Sequence, residues 1–453
     1  MAAKQNIFWL KNKLFRPGAI SAYRQALEAE KGSRDEILSI NWKKRRAIVE
    51  YAYLQSPFYR KFYEERGFSP RDLQSPADWN SIPVLEKQHL KNFTGKILAE
   101  QVPIKRRIRT TTGGSTGAPL LTYRDRRFHE EILKWRMLRR WDVSPSANML
   151  MLWRIPERED RQLRKMMNHA IWFPTRRYKF DVSALDPKNL ESIYKVILKH
   201  RPGIIWGYVG ALEALALYLE SCGNGLEYSP LVWSTAAPVS DPQMRLFKRI
   251  FGNRILDQYA CSEIHWIASG VPGSRQLVVD SDHRHLEISC GETHSADESD
   301  FGDILLTDLE NYVFPLIRYR NGDRGRFATR PDESMLQFDW IEPVRGRVSD
   351  MLRSPAGAVL SGEYLTTVFD DCVDLIQQFK FHQRADFSVQ VFVKRSNEGE
   401  RNAERMSRVM AKKKLELAEK MKNEVVFEIS YVEHIEHDRG KTRFIQSEIT
   451  QAR

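Results

Sequence analysis

A stretch rich in hydroxyl groups and glycine, residues 110–119, is the part of the sequence best suited to hold an anion. Its ten residues include five hydroxyl side chains, three glycines and a closing proline. Backbone amides left open by glycine, together with short hydroxyl side chains, can surround a phosphate at close range. The P-loop of nucleotide triphosphatases continues with Lys and then Ser or Thr, whereas Ala118 and Pro119 follow the last glycine here. The stretch therefore predicts an ATP-binding loop that is not of the kinase or GTPase type.

Two carboxylates further along the chain have neighbours that suit a magnesium–nucleotide complex. Glu263 stands four residues after Tyr259 at a predicted strand end, where the carboxylate can bind Mg²⁺ and the aromatic ring can cover a purine. Asp323 follows the turn-forming pair Asn321-Gly322 where another strand is predicted to end, and its oxygens can accept hydrogen bonds from ribose. Taken singly, Tyr259 is more simply a core residue, Glu263 a surface residue and the Asn-Gly pair an ordinary turn.

Two basic residues complete this ordered set. Arg347 follows Gly346, and Lys441 follows Gly440. A lone lysine of this kind is solvated in most proteins. The prediction therefore rests on the order of the segments and not on any one of them.

The composition predicts a folded enzyme of more than one domain. A chain of 453 residues exceeds what one core ordinarily holds, and 42% hydrophobic residues can fill two cores. Lys and Arg outnumber Asp and Glu by 71 to 59, and the resulting charge of +12 attracts nucleotides, coenzyme A, nucleic acid or acidic membranes. The basic residues are dispersed in short groups outside any recognisable nucleic-acid module, so a solvated surface explains them more simply. Nucleic acid is not an expected partner.

The cysteines predict a reducing, cytoplasmic location and argue against a structural metal. Cys222, Cys261, Cys290 and Cys372 are far apart and form neither a CxxC pair nor a cluster of zinc-finger spacing. The interval between the two carboxylate segments holds four candidate metal ligands, His283, His285, Cys290 and His294. Their spacing matches no tight set of ligands.

An apolar run, residues 7–10, lies between lysines early in the sequence. It is shorter than the apolar region of a signal peptide and far short of the roughly 20 residues of a spanning helix. No other stretch qualifies as transmembrane. We expect a helix packed on the body of the protein, with an amphipathic membrane contact as the alternative.

The elements that must position these residues change in character along the chain. Residues 21–100 predict a mostly helical layer. Between 100 and about 340, short apolar runs at 149–153, 203–207, 231–233 and 254–256 alternate with helical stretches at 189–200 and 209–221. Such alternation predicts parallel sheets covered by helices. Beyond 345, strands at 387–393 and 425–432 flank a charged helix at 402–423, which predicts a small α+β domain.

The predicted fold class is therefore α/β. A large domain covers residues 1–345, with the helical layer at 1–100, and a small α+β domain covers 346–453.

Taken in order, these segments resemble the adenylate-forming superfamily of acyl-CoA synthetases, peptide-synthetase adenylation domains and luciferases. The resemblance is closest to the phenylacetate–CoA ligase family, including its CapK-like members and the coenzyme F390 synthetases. It runs almost from end to end of the chain. The segments that carry it are 56–59, 82–84 with Lys87, 110–119, 206–208, 257–263, 307–323, 346–347 and 440–441.

The resemblance implies a two-step ligase that uses ATP and Mg²⁺. A carboxylate oxygen attacks the α-phosphorus of ATP, pyrophosphate leaves, and an acceptor captures the acyl-AMP. Residues of the loop that would hold the β- and γ-phosphates are Thr111, Thr112, Gly113, Gly114, Ser115, Thr116 and Gly117. Glu263, helped by Ser262, would bind Mg²⁺, and Lys441 would reach the α-phosphate and the substrate carboxylate. The residues that would contact adenine or ribose are Ala236, Ala237, Pro238, Tyr259, Asp323 and Arg347.

The same resemblance implies an acyl pocket with aromatic walls, which suit a flat or apolar acid. The residues predicted to border it are Trp153, Arg154, Trp206, Tyr208, Trp233, Ser234, His265 and Trp266. Two of them have simpler explanations, because His265 can be a hydrogen-bonded structural histidine and Arg154 can close a salt bridge.

The small domain is implied to be a mobile lid that delivers Lys441 in one orientation and admits the acceptor in another. Two departures concern the acceptor. Ser349 stands where many relatives have Asp, and residues 353–358 differ from the usual segment of phenylacetate–CoA ligases. Coenzyme A therefore competes with an amine, a sugar or a carrier protein as acceptor, and adenylyl transfer as in F390 synthetases is a further variant. The oligomeric state is open and a homodimer is allowed. A non-catalytic scaffold is disfavoured because Lys441 and Glu263 are both present.

Overall fold

The structure is a computed structural model. It describes residues 2–112, 120–155, 167, 170–183, 185–223, 225–239, 241–289, 302–331, 334–344, 351–360, 364–365, 368–369, 371–372, 374–433, 435 and 445–449. The chain divides into two compact units, of which the first comprises residues 1–110, 121–146 and 256–346 and the second comprises 111–120, 147–255 and 347–453.

The described helices are α1 Ala2–Phe15, α2 Pro17–Lys31, α3 Arg34–Gln55, α4 Pro57–Glu64, α5 Lys87–Ile97, α6 Glu131–Arg140, α7 Pro187–His200, α8 Val209–Ser221, α9 Asp241–Phe251, α10 Asn397–Arg401 and α11 Ala403–Lys420. Short 3₁₀ turns lie at Pro70–Asp72, Pro76–Ser81 and Ile104–Arg106. Among the residues described, no helix is both long and apolar enough to cross a membrane.

The described strands are β1 Leu85–Glu86, β2 Arg107–Thr112, β3 Leu120–Asp125, β4 Met149–Trp153, β5 Arg177–Asp181, β6 Ile204–Tyr208, β7 Leu231–Thr235, β8 Ile255–Tyr259, β9 Ala268–Gly270, β10 Leu277–Val279, β11 Arg284–Ser289, β12 Gly302–Asp308, β13 Tyr319–Gly325, β14 Trp340–Ile341, β15 Leu352–Arg353, β16 Val359–Leu360, β17 Ile376–Gln383, β18 Val389–Arg395, β19 Phe427–Tyr431 and β20 Ile445–Ser447.

Helices α2 to α5 confirm the helical layer expected over residues 21–100. Local sequence explains where they start. Ser33 caps α3 in a reciprocal capping box with Glu36, and Ser56 ends α3 while its hydroxyl caps α4, whose first residue is Pro57. Each cap supplies a partner for backbone groups that a helix end leaves unpaired.

Four parallel strands of the second unit, in the order β7-β6-β4-β5, confirm the predicted parallel sheet. Helices α7 and α8 form the crossovers between β5, β6 and β7, and their apolar faces pack in one buried cluster with Leu150, Ile205 and Val232. Gly207 is required at the end of β6, because a Cβ there would lie 2.8 Å from the Cβ of Leu152. The carboxyl ends of β4, β6 and β7 therefore lie side by side at one edge of this sheet.

The sheets of the first unit are mainly antiparallel, which differs from the expectation of parallel sheets throughout. One sheet has the order β1-β13-β12-β11, with only β1 and β13 parallel, and in the other β14, β10, β9 and β8 are antiparallel neighbours. The connections between β8, β9 and β10 are too short to hold a crossover helix, and short connections impose antiparallel pairing.

The segment beyond 350 confirms the predicted small α+β region. Strands β17 to β20 form a sheet in the order β19-β18-β17-β20, and α11 packs on it. Phe379, Val391, Met410 and Leu417 belong to a buried cluster that is separate from the core of the parallel strands. Residues 345–350 lie outside the described part, and the domain boundary between 345 and 346 stays a prediction.

The prediction that a strand ends at Asn321-Gly322-Asp323 is wrong. These residues lie inside β13, which pairs with β12 across a register irregularity between Asp303 and Leu305. Gly322 has a φ of +90°, a backbone conformation that glycine adopts without steric cost. The Asn-Gly pair thus makes an irregularity within a strand instead of a turn.

A buried guanidinium joins the helices of the first unit to the chain that precedes β11. Arg136 on α6 is fully buried, and its two terminal nitrogens lie 2.7 Å from carboxylate oxygens of Asp280 and Asp282. Glu30 on α2 lies 3.8 Å from its Nε atom. The charge of Arg136 lowers the pKa of Asp282 against the opposing effect of burial. One cation therefore compensates carboxylates from two separate parts of the chain.

Replacing Arg136 with Met should destabilise the protein by about 3–5 kcal/mol, because buried Asp282 loses the guanidinium that binds both of its oxygens, whereas Asp280 and Glu30 keep Arg140. Urea unfolding followed by tryptophan fluorescence measures this loss. Arg139→Met is the matched control, since Arg139 also bonds to Glu30, at 2.8 Å, but its side chain is 51% exposed. We expect the control to cost less than about 1 kcal/mol. Equal losses in the two variants would contradict the role given to Arg136.

Candidate active site

The hairpin strands β2 and β3 flank the predicted phosphate loop and form a two-stranded sheet. Thr110 and Thr111 lie on β2, where the hydroxyl of Thr110 accepts a hydrogen bond of 3.1 Å from Nε of Arg124. Thr112 is the last residue of β2, but its side chain lies outside the described part, as do residues 113–119. The phosphate contacts predicted for the loop residues stay a prediction.

Arg124 connects this hairpin to the segment that follows Glu263. Its Nη1 atom donates to Oε2 of Glu130 at 2.5 Å and lies 3.1 Å from Nδ1 of His265. The same Nδ1 atom lies 3.3 Å from Glu130 Oε2. A neutral imidazole can accept from Arg124, whereas a protonated one can donate to Glu130. His265 is thus held in position as a hydrogen-bonded histidine in either protonation state.

Glu130 is the anionic centre of this group. Burial raises the pKa of its carboxyl, but the hydrogen bond and charge of His265 and the charge of Arg124 more than offset burial and lower the pKa to about 2. The carboxylate therefore stays ionised throughout the physiological range.

Glu263 lies in a tight loop after β8 and is 7% exposed, whereas a surface position is the simpler expectation from sequence. The hydroxyl of Tyr319, the first residue of β13, donates to Glu263 Oε1 at 3.0 Å. Cys261 and Ile264 close the loop through a backbone hydrogen bond of 3.0 Å, and the neighbouring Ser262 is exposed. The loop thus holds a buried carboxylate whose orientation a tyrosine hydroxyl defines.

Cys261 in the same loop is not suited to act as a nucleophile. Burial, reinforced by the negative charges of Glu263 and Asp323, raises the pKa of its thiol well above the ordinary value. The thiol stays protonated at neutral pH, and the thiolate is the reactive form.

Arg284 fixes the end of this loop. Its Nε and Nη2 atoms donate to the carbonyl oxygen of His265 at 3.1 and 2.9 Å, while Nη1 donates to Asp308 Oδ1 at 2.8 Å. The side chain is 1% exposed. Trp266, which follows, has a φ of +53° and packs partly against the buried aromatic cluster of α2 and α6. Trp266 therefore contributes to a core in addition to its predicted place at the pocket.

Asp323 is bound to the end of β8 by a triangle of hydrogen bonds. The hydroxyl of Tyr259 donates to Asp323 Oδ2 at 3.0 Å, and Nδ2 of Asn321 lies 2.7 Å from both that oxygen and the Tyr259 hydroxyl. Burial, followed by the charge of Asp323, raises the pKa of Tyr259, so the phenol stays a neutral donor. Because Tyr259 is 7% exposed, its ring is a core residue, as the simpler expectation had it.

Two hydrogen bonds therefore join the segment 259–263 to β13 in a crossed pattern. Tyr259 donates to Asp323, and Tyr319 donates to Glu263. Each tyrosine orients the carboxylate of the other segment. All four residues lie in the first unit, and both carboxylates have a defined orientation.

In the second unit, four predicted pocket residues form an aromatic row at the carboxyl ends of β4, β6 and β7. The ring centroids of Trp206 and Trp233 are 4.3 Å apart with planes inclined by 14°, and Trp153 lies 5.0 Å from Trp206 and 4.5 Å from Tyr208. Ser234, next to Trp233, is fully buried. The four rings thus form a continuous row of contacts in which only the Trp206–Trp233 pair is stacked.

One member of this row carries a polar atom that is not satisfied. Within the part of the chain that is described, the buried Nε1 atom of Trp206 has no hydrogen-bond partner. Arg154, at the end of β4, lies with its guanidinium 5.4 Å from the ring centroid of Tyr364. The sequence predicts either an anion contact or a salt bridge for Arg154. The structure adds a cation–π contact with Tyr364 to these two alternatives.

Ala236, Ala237 and Pro238 directly follow β7 at the same edge of the sheet. Ala236 is exposed and has a φ of +74°, a left-handed conformation that costs a non-glycine residue roughly 1–2 kcal/mol. Ala237 packs partly against the core of the second unit. The predicted adenine residues thus form a strained and partly exposed turn.

Several residues of the site were missed by sequence reasoning, namely Arg124, Glu130, Arg284 and Tyr319. Apart from the local Arg124–Glu130 pair, their partners lie from 14 to 141 positions away, and no periodicity marks such pairs. Arg347 and Lys441 lie outside the described residues, as do Cys290 and His294 of the interval considered for a metal. Their predicted roles stay predictions.

Comparison with known proteins agrees with this picture. The chain is 24% identical to a phenylacetate–coenzyme A ligase of Escherichia coli K12 over 347 residues, which is 71% of the chain and 74% of that protein. It is 34% identical to a phenylacetate–coenzyme A ligase of Aromatoleum evansii over 92 residues, a fifth of each chain. No family model matches the chain.

Among solved structures, the fold is similar to that of 2-hydroxyisobutyryl-CoA ligase in its thioesterification state, with 2-HIB-AMP and CoA bound. The TM-score is 0.60 at 15% sequence identity, and the match covers 92% of this chain and 91% of that one. The same ligase in a postadenylation state gives a TM-score of 0.57 with 14% identity, covering 93% and 91%. At 14–15% sequence identity, these superpositions show that the fold is shared and nothing more.

The chain has the two-domain α/β fold of adenylate-forming ligases, and the predicted enzyme class, an adenylate-forming acid ligase, is confirmed. The sequence is similar to those of phenylacetate–CoA ligases over 71% of the chain, which confirms the predicted resemblance.

Replacing Glu130 with Gln should flatten the acid side of the stability profile. The pKa of this carboxyl is lowered from 4.5 to about 2 in the folded protein, so its contribution is complete above pH 4.5 and disappears as the pH falls towards 2. A lowering of this size corresponds to at most about 3 kcal/mol. Urea unfolding of both proteins at neutral pH and at steps below pH 4.5 measures the difference.

Glu28→Gln is the control, because that glutamate is 73% exposed and paired with Lys31. We expect it to follow the unmodified protein at every pH. A Glu130→Gln profile parallel to the unmodified one would contradict the ion group described here.

Proposed function

We propose that the protein activates a carboxylic acid with ATP to form an acyl-AMP and then transfers the acyl group to coenzyme A. The observation that carries the proposal is the crossed pair of tyrosine–carboxylate hydrogen bonds, Tyr259 with Asp323 and Tyr319 with Glu263. It supplies two oriented carboxylates, Glu263 buried in the loop after β8 and Asp323 partly buried within β13, as the resemblance expects for the magnesium and ribose ligands. The sequence likeness to phenylacetate–coenzyme A ligases supports the same reaction.

The proposed nucleotide contacts follow from the chemistry of these carboxylates. Glu263 would hold Mg²⁺, since an ionised carboxylate is the ligand that this ion prefers, and Asp323 would accept hydrogen bonds from ribose. In the described part of the chain no group of three or more acidic, histidine or cysteine side chains could hold a metal by itself. That fits Mg²⁺, which commonly keeps waters and binds through one or two carboxylates and the phosphates of its substrate.

The remaining proposed contacts rest on the resemblance. Residues 111–117 would hold the β- and γ-phosphates, Ala236, Ala237 and Pro238 would contact adenine, and Arg347 would contact ribose or phosphate. Lys441 would neutralise charge on the α-phosphate and the attacking carboxylate. In-line transfer at phosphorus depends more on such neutralisation than on proton transfer.

The aromatic row of the second unit supports a flat or apolar acid as substrate. Trp153, Trp206 and Tyr208 are partly or largely buried and present ring faces at the ends of parallel strands, where ligands of α/β folds commonly bind. The unsatisfied Nε1 donor of Trp206 would favour an acid with a hydrogen-bond acceptor at the depth of that indole. The named substrate of the curated relatives, phenylacetate, is a flat aromatic acid.

The acceptor is the least constrained part of the proposal. Residues 353–358, which differ from the usual segment, form the tight hairpin between β15 and β16, with Ser354 N donating to Ala358 O at 2.8 Å. This departure keeps transfer to an amine, a sugar or a carrier protein as the second candidate. Adenylyl transfer remains the third.

Pyrophosphate exchange with a panel of aromatic and aliphatic acids tests the first half-reaction. We expect exchange with at least one flat acid, and loss of most of that exchange in Lys441→Ala with ATP binding nearly intact. Addition of coenzyme A should then convert the acyl-AMP into a thioester detectable by mass. Absence of exchange with every acid would overturn the ligase proposal, whereas exchange without a thioester would favour the second candidate.

Replacing Asp323 with Asn should raise the KM for ATP about 10- to 100-fold, the loss expected from removing a charged hydrogen-bond acceptor worth about 1.5–3 kcal/mol. The KM for the acid should change much less. Asp303→Asn on the adjacent strand is the control, because its side chain is 45% exposed. An unchanged KM for ATP in Asp323→Asn, with the fold intact by circular dichroism, would remove Asp323 from the nucleotide site.

A further inference from the structure

Tyr319 holds its hydroxyl group against the carboxylate of Glu263 from the interior of a sheet. The side chain is fully buried. The backbone of Tyr319 is paired with Leu85 of β1 on one side and with Leu306 of β12 on the other. The sheet therefore sets the position of the hydroxyl, whereas Glu263 belongs to a loop.

The residue before Tyr319 strengthens this hold on the start of β13. Arg318 has a φ of +48°, a left-handed conformation that a non-glycine residue adopts only where its surroundings impose it. Its Nη1 atom donates to the carbonyl oxygens of Asn80 and Ile82 at 2.9 and 2.6 Å, and its Nε atom donates to Glu287 at 3.0 Å. The direction in which Tyr319 leaves the backbone is thus determined by several partners of its neighbour.

The hydroxyl acts on one oxygen of the carboxylate. Tyr319 donates to Oε1 of Glu263 at 3.0 Å, and the carboxylate is 7% exposed. This bond fixes the rotation of the carboxylate and leaves Oε2 as the oxygen that the tyrosine does not engage. Hydrogen bonds of this kind to the ligands of a metal commonly decide how well those ligands bind.

The number of oxygens that a carboxylate offers affects which cation it suits. Mg²⁺ demands nearly octahedral geometry and commonly takes one or two carboxylates together with waters and substrate phosphates. Ca²⁺ has a larger and more flexible shell, in which a single carboxylate often supplies both oxygens. A carboxylate with one oxygen already engaged by a fixed hydroxyl therefore suits Mg²⁺ better than Ca²⁺.

We propose that Tyr319 is a positioning residue for the divalent cation of the nucleotide. Its hydroxyl makes Glu263 a ligand that offers one oxygen, and so favours Mg²⁺ over Ca²⁺. The inference rests on the proposed binding of ATP and Mg²⁺ at Glu263, and it names the residue that selects the metal. Tyr319 acts in this role through Glu263 and not by contact with the cation.

Tyr259 provides the matching arrangement for the other carboxylate. Its hydroxyl donates to Oδ2 of Asp323 at 3.0 Å, and Nδ2 of Asn321 lies 2.7 Å from the same oxygen. Asp323 is the proposed ribose ligand, so loss of this hydroxyl should affect recognition of the sugar and not of the metal. Tyr259→Phe and Tyr319→Phe each remove one oxygen atom from a buried tyrosine, and their effects should differ.

Calorimetric titration of the full chain with ATP tests the proposal, with Mg²⁺, with Ca²⁺ and with EDTA in separate runs. In the unmodified protein we expect Mg²⁺ to strengthen ATP binding at least about tenfold more than Ca²⁺ does. Tyr319→Phe should weaken binding of Mg·ATP about 10- to 100-fold, the usual cost of removing a partner of a metal ligand. Binding of Ca·ATP should weaken at least about fivefold less, and binding of metal-free ATP should stay within about threefold.

Tyr259→Phe should leave the strengthening by Mg²⁺ within about threefold of its original value. The preference for ATP over 2′-deoxy-ATP or 3′-deoxy-ATP should instead fall at least about fivefold, because the orientation of Asp323 is lost. Tyr53→Phe is the control outside the site. Tyr53 also donates to a glutamate, Glu64, at 3.0 Å, and we expect unchanged binding in every run.

Four outcomes would overturn the proposal. They are equal strengthening of ATP binding by Mg²⁺ and Ca²⁺ in the unmodified protein, an unchanged effect of Mg²⁺ in Tyr319→Phe, equal weakening of metal-free ATP and Mg·ATP in that variant, and the same loss of the Mg²⁺ effect in Tyr259→Phe. The first measurement needs no variant, and circular dichroism verifies the fold of the others. ATP binding requires neither the acid nor the acceptor, so failure of this inference is distinguishable from failure of the proposed ligase reaction, which pyrophosphate exchange reports.

Discussion

The crossed hydrogen bonds between two tyrosines and two carboxylates are the constraint on which the candidate site depends. A carboxylate taken out of water loses several kcal/mol of hydration unless donors replace it. Tyr319 and Tyr259 supply those donors to Glu263 and Asp323, and burial keeps the pKa of Tyr259 high, so that its phenol remains protonated. The end of β8 and the body of β13 must therefore stay in register, because displacement of either would remove the donor of the buried Glu263 carboxyl or of the partly buried Asp323 carboxyl.

Buried arginines hold the backbone around this arrangement. Arg284 uses two nitrogens on the carbonyl oxygen of His265 and a third on Asp308, which closes the loop that carries Glu263. Arg136 holds Asp280 and Asp282, just before β11, against α6. Arg124 joins Thr110 on β2 to His265 and Glu130. Part of the positive charge of the chain is thus structural, and it is balanced locally by carboxylates in the core.

The two faces of α1 differ in how they are packed. Phe8 and Trp9 stabilise the first unit through aromatic contacts. Ile7, Leu10 and Leu14 add nothing to that core, so their exposure costs solubility unless a partner covers them.

The sequence by itself determined the fold class, the helical layer, the parallel strands and the family likeness, because periodicity, caps and ordered motifs are local properties of the chain. It also named Glu263, Asp323 and the aromatic residues at 153, 206, 208 and 233. Only the tertiary structure decided that Glu263 is buried, that Asn321 to Asp323 lie inside a strand, and that Arg124 and Arg284 support the site. Those facts depend on partners tens to hundreds of positions apart, and burial and hydrogen bonding between such partners arise only when the chain is folded.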